Sequence, residues 1–271
     1  MLLKFRYYLS VLFFMARMSV RKQLAYPLYI ISCLLMIPMM VATGILLLYA
    51  LAASFGSVSG WRFEELAFLY GLGYLSHGLM MVFGAQNIWM DLTVIRGDFD
   101  RMLLRPLSVF AQFSVTYFNL IGLMDVLLGG CVLFYSASQL GLVWTVFSLL
   151  QLALVLLGAT LIRSAVFTIA CSSAFWTRRS GALFWLLTDL MERTTMLPLS
   201  IYPIAFQLTL SLVVPLAFIS FYPACSWLGK TTALALPWPA TLITLVIGVT
   251  LSWVAIRFFN YGLKKYESAG S

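Results

Sequence analysis

The side chains in this sequence able to carry chemistry are few and stand apart. His77 is the only histidine, and with no carboxylate near it in sequence it reads as a hydrogen-bonding group between helices rather than a general base. Cys33, Cys131, Cys171 and Cys225 occur singly, with no CxxC spacing and no histidine pattern beside them. They read as small apolar residues, and neither a disulfide framework nor a metal site is supported. The fragment "GKT" at 229–231 has the end of a phosphate-binding loop, in which backbone amides and a lysine cradle a nucleotide. A complete loop needs a glycine five residues before Gly229, where Ala224 stands, and a strand ahead of it. The chain therefore lacks a nucleotide-binding motif. Asp91, Asp98, Asp100, Asp189 and Glu192 form no spaced ligand set, and no Ser/His/Asp set can be assembled. The sequence reads as a non-enzyme that binds no cofactor itself.

Two further charges, Asp125 and Arg163, sit inside long apolar runs. Each costs about 2.5–3.5 kcal/mol at the centre of an isolated membrane helix, so each needs a partner or a wet cavity. They are expected at comparable depth, paired with each other or lining a polar pathway.

The elements that must position these groups follow from composition. With 62% hydrophobic and 10% charged residues and a mean hydropathy of +0.98, the chain is far too apolar for a soluble domain. Its charge-free gaps predict six membrane helices near 27–53, 66–90, 108–134, 143–171, 199–222 and 238–258, in one transmembrane domain covering 1–271. Backbone groups in lipid must be satisfied within each segment, and the alternation of barrel strands is absent, so the fold class is all-α.

The net charge of +8 is explained by topology rather than by nucleic acid. With the N-terminus inside, fourteen of the basic residues fall on the cytoplasmic side, Arg62 and Lys230 fall opposite, and Arg163 is left within a span. That bias assigns both termini to the cytoplasm. Residues 1–24 place Arg6, Ser10, Arg17 and Arg21 on one side of a helix, with Leu2, Leu9, Leu12 and Val20 elsewhere, which predicts an interfacial helix against membrane lipid. A basic tail that merely fixes topology is the alternative. Six of nine prolines fall between Pro198 and Pro239, so the fifth span, with Pro203 and Pro215, should be broken and followed by a partly re-entrant outer element before the sixth.

One charged island interrupts the apolar runs, "GDFDRMLLRP" at 97–106. If Asp98 caps a helix starting at Phe99, then Phe99, Met102 and Leu103 share one face, Asp98, Arg101 and Arg105 share another, and Pro106 ends it. The expectation is a short cytoplasmic amphipathic helix whose apolar face docks to lipid or protein. A solvated turn whose arginines only enforce topology is the plainer reading.

The stretch "IRGDFDRMLLRPLSVFAQ" resembles the inter-span signature of bacterial membrane subunits of type 2 ATP-binding-cassette transporters, through Arg96, Gly97, Asp100, Leu103, Leu104, Arg105, Pro106 and Leu107. A second run, "LTLSLVVPLAFISFYPACSWLG", is similar to a downstream run of these permeases through Pro215, Phe218, Tyr222, Pro223 and Gly229. The resemblance implies a permease of the bacterial inner membrane, in most cases an exporter. It would work with a second permease, often a different one of similar size, and with two soluble ATPase subunits that bind ATP and Mg. The island would then be the coupling helix, with Phe99, Met102 and Leu103 packing in a groove of the ATPase. Asp98, Asp100, Arg101 and Arg105 would orient it. A gradient-driven carrier built on Asp125, Arg163 and His77 is the competing class, and a membrane enzyme acting on lipid-linked substrates is a third.

Overall fold

The structure is a computed structural model and describes residues 2–230 and 239–267. Helix α1, Leu2–Leu24, leads through a two-residue turn into α2, Pro27–Phe55, where Pro27 occupies the first helical turn, in which a missing N–H costs nothing. A turn with Gly56 and Gly60 at positive φ, closed by a bridge between Val58 and Trp61, reverses the chain. Helix α3, Phe63–Gly84, opens with Glu65 reaching back to accept from the Arg62 amide at 2.8 Å, which satisfies one donor at the helix start. It continues through a 3-10 segment, Ala85–Trp89, into α4, Met90–Ile95.

Beyond it lie α5, Asp98–Leu103, α6, Val109–Thr116, and α7, Gly122–Gln139. Helix α8, Val146–Cys171, is capped by Thr145 and Ser148. Then come α9, Ala174–Thr177, and α10, Gly181–Met196. From 199 the chain breaks into a 3-10 turn, α11 (Ile204–Leu208), a π-helical turn (Thr209–Val213) and a second 3-10 turn at Leu216–Phe218. Helix α12, Phe221–Leu228, and α13, Ala240–Leu263, complete it.

Helix α3 is the centre of the bundle, and α7 lies antiparallel on it. The two approach closely because small residues face backbone: a Cβ on Gly71 would meet the Leu133 amide at 2.7 Å, and one on Gly129 would meet that of Leu75 at 2.7 Å. A second close pair joins α8 to α13, where a Cβ on Gly248 would meet the Gly158 carbonyl at 2.6 Å. Helix α2 is held far more lightly, with only Val41, Leu48 and Ala52 buried.

The described residues are helical without a strand, but the six expected spans are not six helices. Four helical stretches are long and apolar enough to cross a membrane: Pro27–Phe55, Phe63–Ile95, Val146–Thr177 and Ala240–Leu263. The stretch expected as a span at 108–134 is two helices separated by an open segment at 117–121. The one expected at 199–222 is a series of short turns. The helix preceding that series is α10, which falls between the spans expected at 143–171 and 199–222. Its first amide, Gly181, donates to Asp91 at 3.1 Å, and its last turn sets Thr195 against Gly73. It therefore runs antiparallel along α3 as far as the middle of that helix. Part of the proposed outer element, 231–238, and the first residue of the sixth expected span lie outside the described residues.

The open segment at 117–121 has a specific solution for its backbone. Ser19 donates to the Thr116 and Phe118 carbonyls, both at 3.0 Å. Gln23 donates to the Phe118 carbonyl at 2.6 Å and accepts from the Leu120 amide at 2.9 Å. Helix α1 thus lies along α6 and supplies the partners that an interrupted helix lacks.

Candidate functional site

The island forms a helix, but it faces the other way from the sequence expectation. Gly97, at φ 70°, is the residue that starts it, so Asp98 is the first helical residue rather than the cap. Phe99 is fully buried and Met102 nearly so. The Phe99 ring lies 5.3 Å from Phe113, 5.3 Å from Phe175, 6.0 Å from Phe259 and 5.7 Å from Tyr266. One side chain of the island therefore touches α6, α9, α13 and the segment after α13 together. The apolar stripe is real, but its own chain covers most of it.

What remains outside is Arg96, Arg101, Leu103, Leu104, Arg105 and Pro106, with Leu103 51% and Leu104 86% exposed. Arg101 pairs with Asp98 one turn away, and Arg105 reaches the Met15 sulfur of α1. The Gln112 amide clamps the far end of the island, donating to the Met102 carbonyl at 3.0 Å and the Leu107 carbonyl at 3.1 Å. Asp100 acts electrostatically on Tyr266; burial and that neighbouring charge push the phenol up to about 12.

A second set of polar groups lies halfway along α3. Asp125 is almost fully buried and accepts from the Tyr74 hydroxyl at 2.7 Å. The Tyr74 ring lies 5.8 Å from that of His77, whose Nδ1 is buried without a partner. Arg163, 1% exposed, donates to the Gly73 carbonyl at 3.3 Å and leaves Nε unpartnered. The expected Asp125–Arg163 ion pair does not form: among the described residues the ion pairs are Arg101–Asp98, Arg193–Asp189 and Lys230–Glu65. Tyr74 takes the place of the cation for Asp125, and the carboxylate that acts on Arg163 is Glu192 of α10.

Glu192 and Tyr74 were not singled out by sequence reasoning as partners of this layer. The available signal was the i, i+4, i+7 recurrence of Tyr70, Tyr74 and His77 on α3, which puts three polar side chains on one face. Arg193, one of the fourteen basic residues that the charge bias places on the cytoplasmic side, stands with Glu192 within one turn of the Thr195 contact to mid-α3, 2.8 Å from Asp189. Asp189, Glu192 and Arg193 are exposed along one side of α10, in line with Trp185 and Leu186.

At the opposite end from the island, Lys230 of the "GKT" fragment is engaged structurally. Its ammonium lies 3.0 Å from Glu65, donates to the Gly60 carbonyl at 2.9 Å and sits 4.9 Å from the Trp61 ring centroid. It ties the turn after α12 to the turn before α3. Thr231 of that fragment lies outside the described residues. Pro215 precedes the second 3-10 turn, and Pro223 is buried in the first turn of α12. Tyr222, also buried, shares a hydrogen bond of 2.8 Å with Ser211 in the π-helical turn. Among the described residues no group of histidine, cysteine and carboxylate side chains is spaced to hold a metal.

The sequence profile of the family described as "ABC-2 family transporter protein" matches residues 38–270. No curated protein and no solved structure matches the chain. The matched stretch takes in the island, the polar layer and the broken turns before α13. Since it extends over most of the length, the chain belongs to the ABC-2 transporter family, as a multi-pass membrane permease of an ATP-binding-cassette transporter.

Proposed function

We propose that the chain is one of two permeases of an exporter in a bacterial inner membrane. The second permease is a different homologous subunit, both termini of this chain are cytoplasmic, and two soluble ATPase subunits supply ATP and Mg. The observation that carries the coupling assignment is the division of the island. Leu103, Leu104, Arg105 and Pro106, which match the family signature, project outward, while Phe99 and Met102 anchor inward. Helix α5 with its following turn is the coupling element. Leu103 and Leu104 enter an apolar groove of the ATPase, and Arg96, Arg101 and Arg105 set its orientation against carboxylates.

Movement of α5 passes through Phe99 to Phe113, Phe175 and Phe259. The stroke reaches α6, α9 and α13 together and tilts them as a body. The charged side of α10 supports a pathway position for that helix. Asp189, Glu192 and Arg193 facing hydrocarbon would each cost about 2.5–3.5 kcal/mol, whereas a wet pathway between two permeases removes that cost.

The test is affinity isolation of the tagged chain from gently solubilised membranes, with co-purifying proteins identified and ATP hydrolysis assayed. A soluble partner with a complete phosphate loop, lost on Leu103→Glu while the chain stays in the membrane, is the expected result. Isolation of the chain alone from several mild detergents would overturn the reading and favour a gradient-driven carrier using the polar layer.

A further inference from the structure

One face of α13 is uncovered from end to end. Leu242, Val246, Val249 and Trp253 recur at i, i+4, i+7 and i+11 and are 49%, 63%, 53% and 59% exposed. The same stripe continues into Ile256, Arg257, Asn260, Tyr261 and Lys264, which with Trp253 line an open cleft of about 270 Å³. Along one line the surface changes from aliphatic to a mixture of aromatic and basic side chains. The Arg257 guanidinium lies 5.1 Å from the Trp253 ring centroid. Trp176 packs on Phe258 and Tyr261 at 5.6 and 6.0 Å, closing one side. No residue of α13 is acidic.

Depth fits this order. Arg257 is 17 residues beyond Ala240, or about 26 Å along the helix at 1.5 Å per residue. In a hydrocarbon core about 30 Å thick, that puts Arg257 at the edge, where phosphates lie, with Lys264 about two turns further out, and the aliphatic residues beside acyl chains. Trp253 stands between the aliphatic residues and Arg257, and Tyr261 between the two cations, at the level where aromatic residues gather in membrane interfaces.

We propose that this face of α13 binds an anionic phospholipid, with its phosphate held by Arg257 and Lys264 and an acyl chain along Val246 and Val249. A zwitterionic lipid would cover the aliphatic part equally well but leave the two cations without net opposite charge. The proposal rests on α13 spanning the membrane and is independent of coupling to an ATPase.

The test uses the full chain, purified in mild detergent with any bound subunits retained and offered equal amounts of phosphatidylglycerol and phosphatidylcholine with the same acyl chains. Retained lipid is read by native mass spectrometry. Wild type is expected to keep phosphatidylglycerol preferentially. Each surface cation contributes roughly a fivefold preference, so Arg257→Gln with Lys264→Gln lowers the preference by about 25-fold. Both positions are exposed, so folding is not at stake. Arg101→Gln with Arg105→Gln removes two cations from the island and should leave the preference intact. Equal retention of the two lipids by wild type, an unchanged preference in the α13 variant, or an equal loss in the island variant would overturn the proposal. Efficient cross-linking of a Tyr261→Cys variant to another protein subunit would do so as well, because a protein would then occupy this face.

Discussion

Replacing Gln23 with alanine should loosen a part of the chain nearly a hundred residues away. The Gln23 side chain both donates to the Phe118 carbonyl and accepts from the Leu120 amide, at the open segment between α6 and α7. The Phe118 carbonyl still accepts from Ser19 after the change, so it loses about 1 kcal/mol. The Leu120 amide has no such reserve, and leaving it unpaired costs about 1–3 kcal/mol. Together these amount to about 2–4 kcal/mol against the closed form of residues 117–121. Hydrogen exchange followed by mass spectrometry on the peptide covering this segment is the assay. Exchange should rise at least about 30-fold, the ratio equivalent to 2 kcal/mol, with little change in α8 or α13. Unchanged exchange at 117–121 would refute the argument that α1 supplies the missing partners of this break.

The remaining predictions concern three other contacts. Phe99→Ala removes a fully buried ring and should cost about 3–5 kcal/mol. ATPase subunits should still co-purify with this variant because Leu103 and Leu104 are untouched, but transport per ATP hydrolysed should fall; unaltered transport would exclude Phe99 as the link. Gly248→Leu forces a side chain against the Gly158 carbonyl and should destabilise by about 1–3 kcal/mol, read as a lower melting temperature in detergent. Lys230→Met leaves Glu65 partly buried without its cation and should cost about 1–3 kcal/mol. A cysteine pair reporting the approach of the turns at 60 and 230 should then cross-link less.

The sequence showed where the chain can enter a membrane better than where its helices stop. Four of the expected spans correspond to long helical stretches because their apolar runs are long enough to carry one, and Pro38 does not break the first of them. The break at 117–121 left little trace, since it contains no proline and its partners, Ser19 and Gln23, lie far away in sequence. Helix α10 was hidden by Asp189, Glu192 and Arg193, whose charges lower its hydropathy although the helix lies along mid-α3. The spacing of Phe99, Met102 and Leu103 did identify a face. Periodicity, however, cannot say what covers a face, and here Phe113 of the next helix covers it together with Phe175 and Phe259, which are remote in sequence. Asp125 and Arg163 were legible as groups needing partners. Their partners were not, because Tyr74 satisfies a carboxylate without carrying charge.

The light hold on α2 has a consequence for how this protein comes into being. Val41, Leu48 and Ala52 are its only buried residues, lying on one narrow stripe beside the contact of Gly44 with Tyr70. During synthesis this helix leaves the ribosome before α3 exists to receive it. Its insertion must rest on its own hydropathy, and its final tilt on neighbours that arrive later. A newly made subunit can therefore be anchored at once and finished slowly. Mutations on the outer surface of α2 would then register in assembly rather than in the stability of the bundle itself.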